Sequence, residues 1–247
     1  MNKVYLFDVD GTLTPPRMPV DSGFAGFFYQ FVMSHNVYLI SGSDYGKLRE
    51  QLPDYILEAC NGVYGCSGAQ FHQKGKEVYR KDHEFSNMIQ AMCEIFIDTS
   101  PYSTRTGVHI EKRPGMLNVS VVGRNATPAQ RKAYYVWDQI TGERRNFVDM
   151  INNGSVQYEA SAGGEISIDI VPKGWNKSVV MTEVLAKHRN ANLVFFGDRI
   201  CEGGNDKPLA DALEMSGDGH VAVSVETYTD TWRALETNYY QHCFEAA

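Results

Sequence analysis

The sequence predicts an α/β fold in which helices cover a parallel, Rossmann-like sheet and a smaller antiparallel α+β unit is inserted into the chain. Short, nearly continuous apolar runs recur along the chain, which is typical of strands buried on both faces. Stretches with helical periodicity separate these runs, as in α/β proteins. Segments of alternating polarity in the middle of the chain indicate strands with one buried face, and they predict the antiparallel unit.

Four apolar runs are expected to form the parallel sheet. Two further stretches, DYGKLREQL (44–52) and KSVVMTEVLAKH (177–188), are expected to form helices between them. In such folds functional groups gather where the strands end, so the polar residues that close each run are candidates for a site. The four runs are VYLFD (4–8), VYLIS (37–41), LVFFGD (193–198) and HVAVSV (220–225).

The inserted unit is expected over residues 83–172, between core segments 1–82 and 173–247. Its first strands, VHIEKR (108–113) and MLNVSVVG (116–123), are separated by a Pro-Gly turn and predict an antiparallel hairpin.

A helix and a further strand complete the inserted unit. Thr127 is expected to cap the helix, with Pro128 in its first position and Gln130 completing a capping box. In ISIDIVP (166–172) the isoleucines fall on one face of a strand, which we expect to be core, and Ser167 and Asp169 fall on the other.

Composition excludes several classes of protein. The net charge of -7 over 247 residues argues against a general nucleic-acid binder, although a local arginine cluster can still bind a small anion. No apolar run approaches the ~20 residues that cross a membrane, and no charged leader precedes the first strand. Five cysteines without CxxC pairs predict reduced thiols and a cytoplasmic protein: Cys60, Cys66, Cys93, Cys201 and Cys243.

Carboxylates follow the ends of the predicted strands. Asp8 and Asp10 come after the first run, where alternation along a strand would force two like charges together. Asp198 follows another run, and Asp206 lies beyond the glycines of EGGND. Such acids, with few His or Cys neighbours, favour a hard cation with oxygen ligands, so the sequence predicts a Mg²⁺ site.

The order of these motifs resembles the haloacid dehalogenase superfamily of phosphoryl-transfer enzymes. FDVDGTLT is similar to its first motif, Ser41 stands at its phosphate-binding position, Lys177 at its lysine and GDRICEGGND (197–206) at its acidic fourth motif. The resemblance implies that Asp8 is the nucleophile and forms an aspartyl-phosphate. It also implies that Asp10 is the general acid and base.

The resemblance further implies that Mg²⁺ is held by the Asp8 carboxylate, the backbone carbonyl of Asp10 and Asp198. Lys177 would neutralise the phosphate, and Asp206 would orient Lys177 or a metal-bound water.

The insert resembles the cap of the eukaryotic-type phosphomannomutases. The resemblance rests on HIEKRPGMLNVSVVGRNATPAQR (109–131) and ISIDIVPKGWNK (166–177), and it extends from residue 4 to about residue 206. It implies that Arg113, Arg124 and Arg131 form a cationic pocket for the non-reacting phosphate. It also implies that Ser167 and Asp169, on one strand face, donate to or accept from sugar hydroxyls. The implied substrate-binding residues are Arg17, Ser41, Arg113, Arg124, Arg131, Ser167 and Asp169.

The function implied is Mg²⁺-dependent interconversion of mannose 6-phosphate and mannose 1-phosphate in mannose metabolism and GDP-mannose biosynthesis. Hexose 1,6-bisphosphate would be the activator, the partners would be hexose phosphates, and the chain would form a homodimer through the cap, with MLNVSVVG as an edge. Two alternatives stay open. A sugar-phosphate phosphatase fits Ser41 and GCSGAQF (65–71), which differ from the mutase pattern. A phosphosugar-binding protein without chemistry is the other.

Overall fold

The computed structural model describes residues 2–245, with side chains up to residue 237, so Cys243 lies outside the described side chains. Its strands are β1 (Lys3–Phe7), β2 (Asn36–Ile40), β3 (Gly62–Gly65), β4 (Gln70–Gln73), β5 (Lys76–Arg80), β6 (Ile110–Arg113), β7 (Met116–Val119), β8 (Tyr158–Gly163), β9 (Ser167–Pro172), β10 (Asn192–Gly197) and β11 (Val221–Ser224). Its helices are α1 (Ser22–Ser34), α2 (Tyr45–Gln51), α3 (Asp54–Ala59), α4 (Asn87–Thr99), α5 (Pro128–Thr141), α6 (Glu143–Gly154), α7 (Val179–Lys187), α8 (Lys207–Ser216) and α9 (Tyr228–Glu245).

A seven-stranded sheet with the order β11-β10-β1-β2-β3-β4-β5 forms the larger layer. Strands β11, β10, β1, β2 and β3 are parallel, which confirms the predicted α/β fold, and β4 and β5 extend the sheet as an antiparallel hairpin. We call this sheet and its helices the core.

The central strands of the core sheet, β10, β1, β2 and β3, are largely buried on both faces, as the continuous apolar runs predict, whereas the outer strands β11 and β5 are mostly exposed. On one face Phe7 of β1 packs against Phe28 of α1, with ring centroids 5.2 Å apart, and against Phe196 of β10 at 5.0 Å. On the other face Leu6 and Phe195 share a cluster with the apolar residues of α7 and α8. Because helices cover both faces, the site is confined to the edge where the strands end.

The smaller layer, which we call the cap, is a four-stranded antiparallel sheet with the order β6-β7-β9-β8, together with α4, α5 and α6. The isoleucines Ile166, Ile168 and Ile170 are buried in apolar clusters on one side, as expected. Thr127 and Gln130 form the predicted capping box at the start of α5. The limits 83–172 for the inserted unit stay a prediction.

The expected edge strand MLNVSVVG is not an edge. Its ordered part, β7, pairs with β6 on one side and with β9 on the other, so its backbone hydrogen-bonding groups are already used. The edges of the cap sheet are β6 and β8. The prediction was wrong because hairpin periodicity gives the partner on one side of a strand and carries no information about the other side.

Two global expectations can be compared with the described residues. Cys60, Cys66, Cys93 and Cys201 are free thiols. None of the helices that the structure describes is long and apolar enough to cross a membrane.

Candidate active site

Three carboxylates from separate parts of the chain meet at the carboxyl edge of the core sheet. Strands β1 and β10 are paired in parallel, with Phe7 beside Phe196, so the residues that follow both strands lie level with each other. Asp8 donates its backbone N–H to the Phe196 carbonyl at 2.9 Å. Asp8, Asp198 and Asp206 each offer a carboxylate oxygen, and these three oxygens lie within 4.8 Å of one another.

Lys177 provides the positive charge of this cluster. Its side chain is fully buried, and its ammonium donates to Asp8 Oδ1 at 2.5 Å and to Asp206 Oδ1 at 2.6 Å. Burial alone would lower the pKa of Lys177, but the carboxylates of Asp206 and Asp8 outweigh it and raise the pKa above its ordinary value. The lysine is therefore charged, and two carboxylates share it.

The cluster still carries more negative than positive charge. Burial raises the pKa of Asp8 well above its usual range, Lys177 acts in the opposite direction, and the nearby carboxylates of Asp206 and Asp198 raise it further. Burial and the charge of Asp206 raise the pKa of Asp198 to about 7. A site with three carboxylates and one ammonium fits a divalent cation, because a cation would offset the remaining repulsion.

The hydrogen bonds of these acids show which of them has oxygens to offer. Asp206 accepts from Lys177 on Oδ1 and from the Arg199 backbone N–H on Oδ2 at 3.0 Å, so both its oxygens are occupied. Asp198 has a weaker contact, with its Oδ2 3.5 Å from Arg199 Nε. The donor set therefore fits a hard cation at Asp8 and Asp198, with Asp206 orienting Lys177.

Asp10 lies apart from the acidic cluster, which corrects the expectation that it shares a strand face with Asp8. Strand β1 ends at Phe7, so the alternation stops before the first acid. The Asp10 carboxylate instead accepts from the Arg17 backbone N–H at 2.8 Å and from Gln51 Nε2 at 2.9 Å, both on Oδ1. The two carboxylates are held separately, and Asp10 still lines the same crevice as Asp8.

A crevice between the core and the cap brings most of the predicted site residues together. From the core it is lined by Asp8, Asp10, Arg17, Ser41 and Asp198, and from the cap by Arg113, Arg131, Ser167 and Asp169. Of the predicted set, Lys177 is buried beneath this surface, and Arg124 is not among the lining residues. The sequence therefore predicted residues on both walls of the crevice.

Arg131 and Arg17 form a cationic region of the crevice. Arg131 Nε lies 3.7 Å from Glu165 Oε2. Burial lowers the pKa of Arg131, and the neighbouring charge of Arg17 lowers it further, so the two guanidinium groups repel each other. Arg17 also has a φ of 64°, which is uncommon for a residue other than glycine. A bound phosphate would relieve this repulsion, since its oxygens suit guanidinium donors.

The three predicted cap arginines do not form one triplet. Arg124 lies behind the crevice and donates from Nη1 to Asn118 Oδ1 at 2.8 Å and to Ser167 Oγ at 3.1 Å. Its Nη2 is buried without a hydrogen-bond partner among the described residues. Arg113 is held by Glu111 and by the Gly42 carbonyl. The sequence could not show which of these arginines face the crevice, because all three belong to one short segment.

The polar face of β9 supplies the remaining cap groups. Asp169 is buried, its Oδ1 accepts from Asn118 Nδ2 at 2.6 Å, and burial raises its pKa. On the core side the Ser41 hydroxyl oxygen accepts the backbone N–H of Ser43 at 3.0 Å. Hydroxyl and carboxyl groups on opposite walls can therefore contact one polar ligand from two sides.

Sequence reasoning missed several residues of the site. Arg199 lines the crevice and donates from Nη2 to the Gly164 carbonyl of the cap at 2.7 Å. Gln51 holds Asp10, and Ser43 Oγ lies 3.4 Å from Asp10 Oδ2. A signal existed only for Arg199, because it directly follows the strand-end acid Asp198.

Comparison with known proteins agrees with this geometry. The family profile described as eukaryotic phosphomannomutase matches residues 24–241. A phosphomannomutase of Galdieria sulphuraria is 34% identical over 231 residues, covering 90% of this chain and 89% of its own length. One from Saccharomyces cerevisiae is 31% identical over 238 residues, covering 93% and 91%. This chain belongs to the eukaryotic phosphomannomutase family.

Solved structures with lower identity share the fold of this phosphomannomutase family member. A trehalose-6-phosphate phosphatase related protein has a TM-score of 0.55 at 17% identity, covering 98% of this chain and 99% of its own. A truncated IMP-nucleotidase of Plasmodium falciparum has a TM-score of 0.62 at 15% identity, covering 95% and 69%. These likenesses concern the haloacid dehalogenase fold, whereas the sequence relatives define the family.

Proposed function

We propose that this protein is a phosphomannomutase that interconverts mannose 6-phosphate and mannose 1-phosphate through an aspartyl-phosphate and a hexose 1,6-bisphosphate. One observation carries the proposal. The Asp8 carboxylate and the guanidinium groups of Arg131 and Arg113 line a single crevice from its two walls. A mutase needs such an arrangement, because one phosphate must be held while the other is transferred.

The Asp8 carboxylate is the proposed nucleophile. An oxygen of Asp8 bonds to phosphorus while the bond between phosphorus and the sugar oxygen breaks. Asp10 gives a proton to the leaving sugar oxygen and takes one from the sugar hydroxyl that later attacks the aspartyl-phosphate. Gln51 and the Arg17 backbone N–H aim the Asp10 carboxylate for this task. Lys177 supports the charge on Asp8 through its 2.5 Å hydrogen bond.

Mg²⁺ is the proposed cation. Asp8 and Asp198 would hold it with the Asp10 backbone carbonyl, and when bound it would neutralise charge on the transferring phosphoryl group. The side-chain ligands proposed here are carboxylate oxygens, which supports the assignment because Mg²⁺ prefers oxygen ligands.

Removal of the cation is expected to abolish turnover. Excess chelator should stop interconversion and Mg²⁺ should restore it, while Ca²⁺ should not replace it, because Ca²⁺ prefers more ligands and longer bonds. Mg²⁺ should also raise the melting temperature of the wild-type protein but have a smaller effect on Asp198→Asn, since a ligand that binds only the native state stabilises it. Full activity in excess chelator would contradict the assignment.

The cap is the proposed holder of the non-reacting phosphate. Arg131 and Arg113 of the cap, together with Arg17 of the core, offer guanidinium donors to that phosphate, while Ser167 and Asp169 face the sugar hydroxyls. Arg124 would act from behind, because its hydrogen bond to Ser167 Oγ fixes the direction of that hydroxyl.

Product identity tests the proposal. Mannose 1-phosphate with catalytic hexose 1,6-bisphosphate is expected to give mannose 6-phosphate faster than inorganic phosphate. Arg131→Ala should lose roughly 2–4 kcal/mol of transition-state stabilisation in interconversion, on the scale of a buried charged contact. Hydrolysis of a small phosphate ester should change less, because that ester does not reach the cap. Free phosphate as the main product would favour a sugar-phosphate phosphatase instead.

The homodimer that the family resemblance implies stays a prediction. Because β7 is interior, we propose the exposed helical side of the cap as the contact, where α4 and α6 present an apolar surface. Ile95 and Met150 are exposed on this surface, and the half-buried Met92 and Phe96 and the buried Phe147 also line it. The molar mass from light scattering decides between one and two copies. The cytoplasmic location is likewise proposed from the reduced cysteines.

A further inference from the structure

Glu111 of the cap joins charged groups of both layers. Its Oε1 accepts a hydrogen bond from Lys47 Nζ of α2 in the core, and its Oε2 accepts from Arg113 Nε at 2.9 Å and Nη2 at 2.5 Å. Lys47 and Glu111 are 20% and 27% exposed, so solvent screens their attraction less than on an open surface. Neither residue carries an assigned part in the chemistry described above.

Arg113 closes a second connection between the same layers. Its Nη1 donates to the Gly42 carbonyl at 2.8 Å, in the core loop that carries Ser41. A single carboxylate oxygen of Glu111, Oε2, accepts from both Nε and Nη2 of the guanidinium, which restricts the orientation of the Arg113 side chain. A chain of contacts therefore runs from Lys47 in the core, through Glu111 and Arg113 in the cap, and back to Gly42 in the core.

The core end of this chain is itself held in place. Asp44 caps α2 by accepting the Lys47 backbone N–H at 3.0 Å, and its Oδ2 lies 3.3 Å from Lys47 Nζ. Burial alone would raise the pKa of Asp44, but the hydrogen bonds and charge of Lys47, with the charge of Arg113, outweigh it and lower the pKa. The lysine thus extends from a capped helix end towards Glu111 and is not a freely moving surface group.

We propose that Lys47 and Glu111 form a core–cap latch, which keeps the cap closed over Asp8 and holds the guanidinium of Arg113 in the plane needed for the sugar phosphate. Both are positioning residues, since they act through Arg113 and through closure. The kinetic consequence rests on the proposed function. A protein whose closed state is less populated binds its ligand more weakly in proportion, so loss of the latch raises KM more than it lowers kcat.

The experiment compares Lys47→Met, Lys47→Arg and Glu111→Gln with Lys112→Met. Lys112 is exposed and neighbours Glu111 on β6, where successive side chains point to opposite faces, so it is a matched control. Lys47→Met and Glu111→Gln are expected to raise KM for mannose 1-phosphate about tenfold with little change in kcat, which corresponds to a contact of ordinary coupling strength. Lys47→Arg should restore most of the affinity, and Lys112→Met should match the wild type.

Small-angle X-ray scattering of the same proteins tests the latch without any assay. Lys47→Met and Glu111→Gln should have a larger radius of gyration than the wild type and Lys112→Met, because the cap opens. Equal scattering and equal KM in Lys47→Met and the wild type would overturn the latch. If the wild type made no mannose 6-phosphate, the proposed function would fail, and the scattering comparison would still decide the latch. A loss of kcat with unchanged KM and scattering would also overturn it.

Discussion

Asp8→Asn is expected to reduce interconversion by at least about 10⁴-fold, since removing a nucleophile that works with its neighbours costs factors of this order or more. The amide cannot form the acyl-phosphate that the proposed reaction requires. The replacement keeps the shape of the side chain and its backbone hydrogen bond to Phe196. Initial rates of mannose 6-phosphate formation, with product followed to the detection limit, measure the loss.

A comparison with Asp10→Asn assigns the defect to the missing nucleophile. Asp10→Asn keeps the Asp8 carboxylate but lacks the group that protonates the leaving sugar oxygen, so it should still accept a phosphoryl group from hexose 1,6-bisphosphate, although both this step and the later transfer should be slow. Labelling with radioactive bisphosphate should therefore mark Asp10→Asn and the wild type, and leave Asp8→Asn unlabelled. Equal labelling of Asp8→Asn and the wild type would refute the assignment of Asp8.

Lys177→Met is expected to be the most destabilising substitution in the site, with a loss of about 3–5 kcal/mol in the free energy of unfolding, because it leaves buried carboxylates without their counter-charge. Lys177 is fully buried and is shared by Asp8 and Asp206. Denaturant titrations of the cation-free proteins measure the loss. Activity should also fall, since the charge on Asp8 loses its partner.

The pH dependence of that loss follows from the carboxylates that remain. Without the ammonium, burial and the neighbouring carboxylates of Asp206 and Asp198 raise the pKa of Asp8 in the folded state above its value in the unfolded chain. The folded variant then binds more protons than the unfolded one, so its stability falls as pH rises. The deficit against the wild type should be smallest in acid and grow towards neutral pH.

A double variant checks the cause of the loss. Lys177→Met with Asp206→Asn removes one charge of each sign, so it should recover part of the stability that Lys177→Met loses. The two sites are in contact, so their effects should not add. A double variant whose loss equals the sum of both single losses would mean that the lysine contributes through packing alone.

Local signals in the sequence predicted much of the fold. The continuous apolar runs, the Pro-Gly hairpin and the capping box each depend on a few neighbouring residues, and each appears as expected. The hairpin of β4 and β5 was not predicted, although Gly75 in its turn is a local signal in the sequence. Lys74 and Gly75 both have positive φ, 50° and 74°, as a two-residue hairpin turn requires.

The pairing of charged side chains could not be predicted in the same way. The motifs and the family resemblance gave most of the crevice residues by position. They did not show that Glu111 holds Arg113 and reaches Lys47, 64 residues earlier in the chain, or that Gln51 donates to the Asp10 carboxylate. These contacts depend on how the cap sits on the core, and side-chain periodicity carries no information on that packing.

The position of β1 between β2 and β10 has a consequence for how the chain folds as it is synthesised. Apart from one bridge between Ala162 and Gly204 of the core, the strands of the cap pair with one another, within residues 110–172, so most of these contacts can form once that stretch has emerged. β1 cannot pair with β10 until β10 has been synthesised, and Asp8 cannot accept a hydrogen bond from Lys177, 169 residues later in the chain, until that lysine has been added. Until then one edge of β1 exposes unpaired backbone groups that invite pairing with other chains. Nascent chains that stop short of β10 should therefore depend on chaperones.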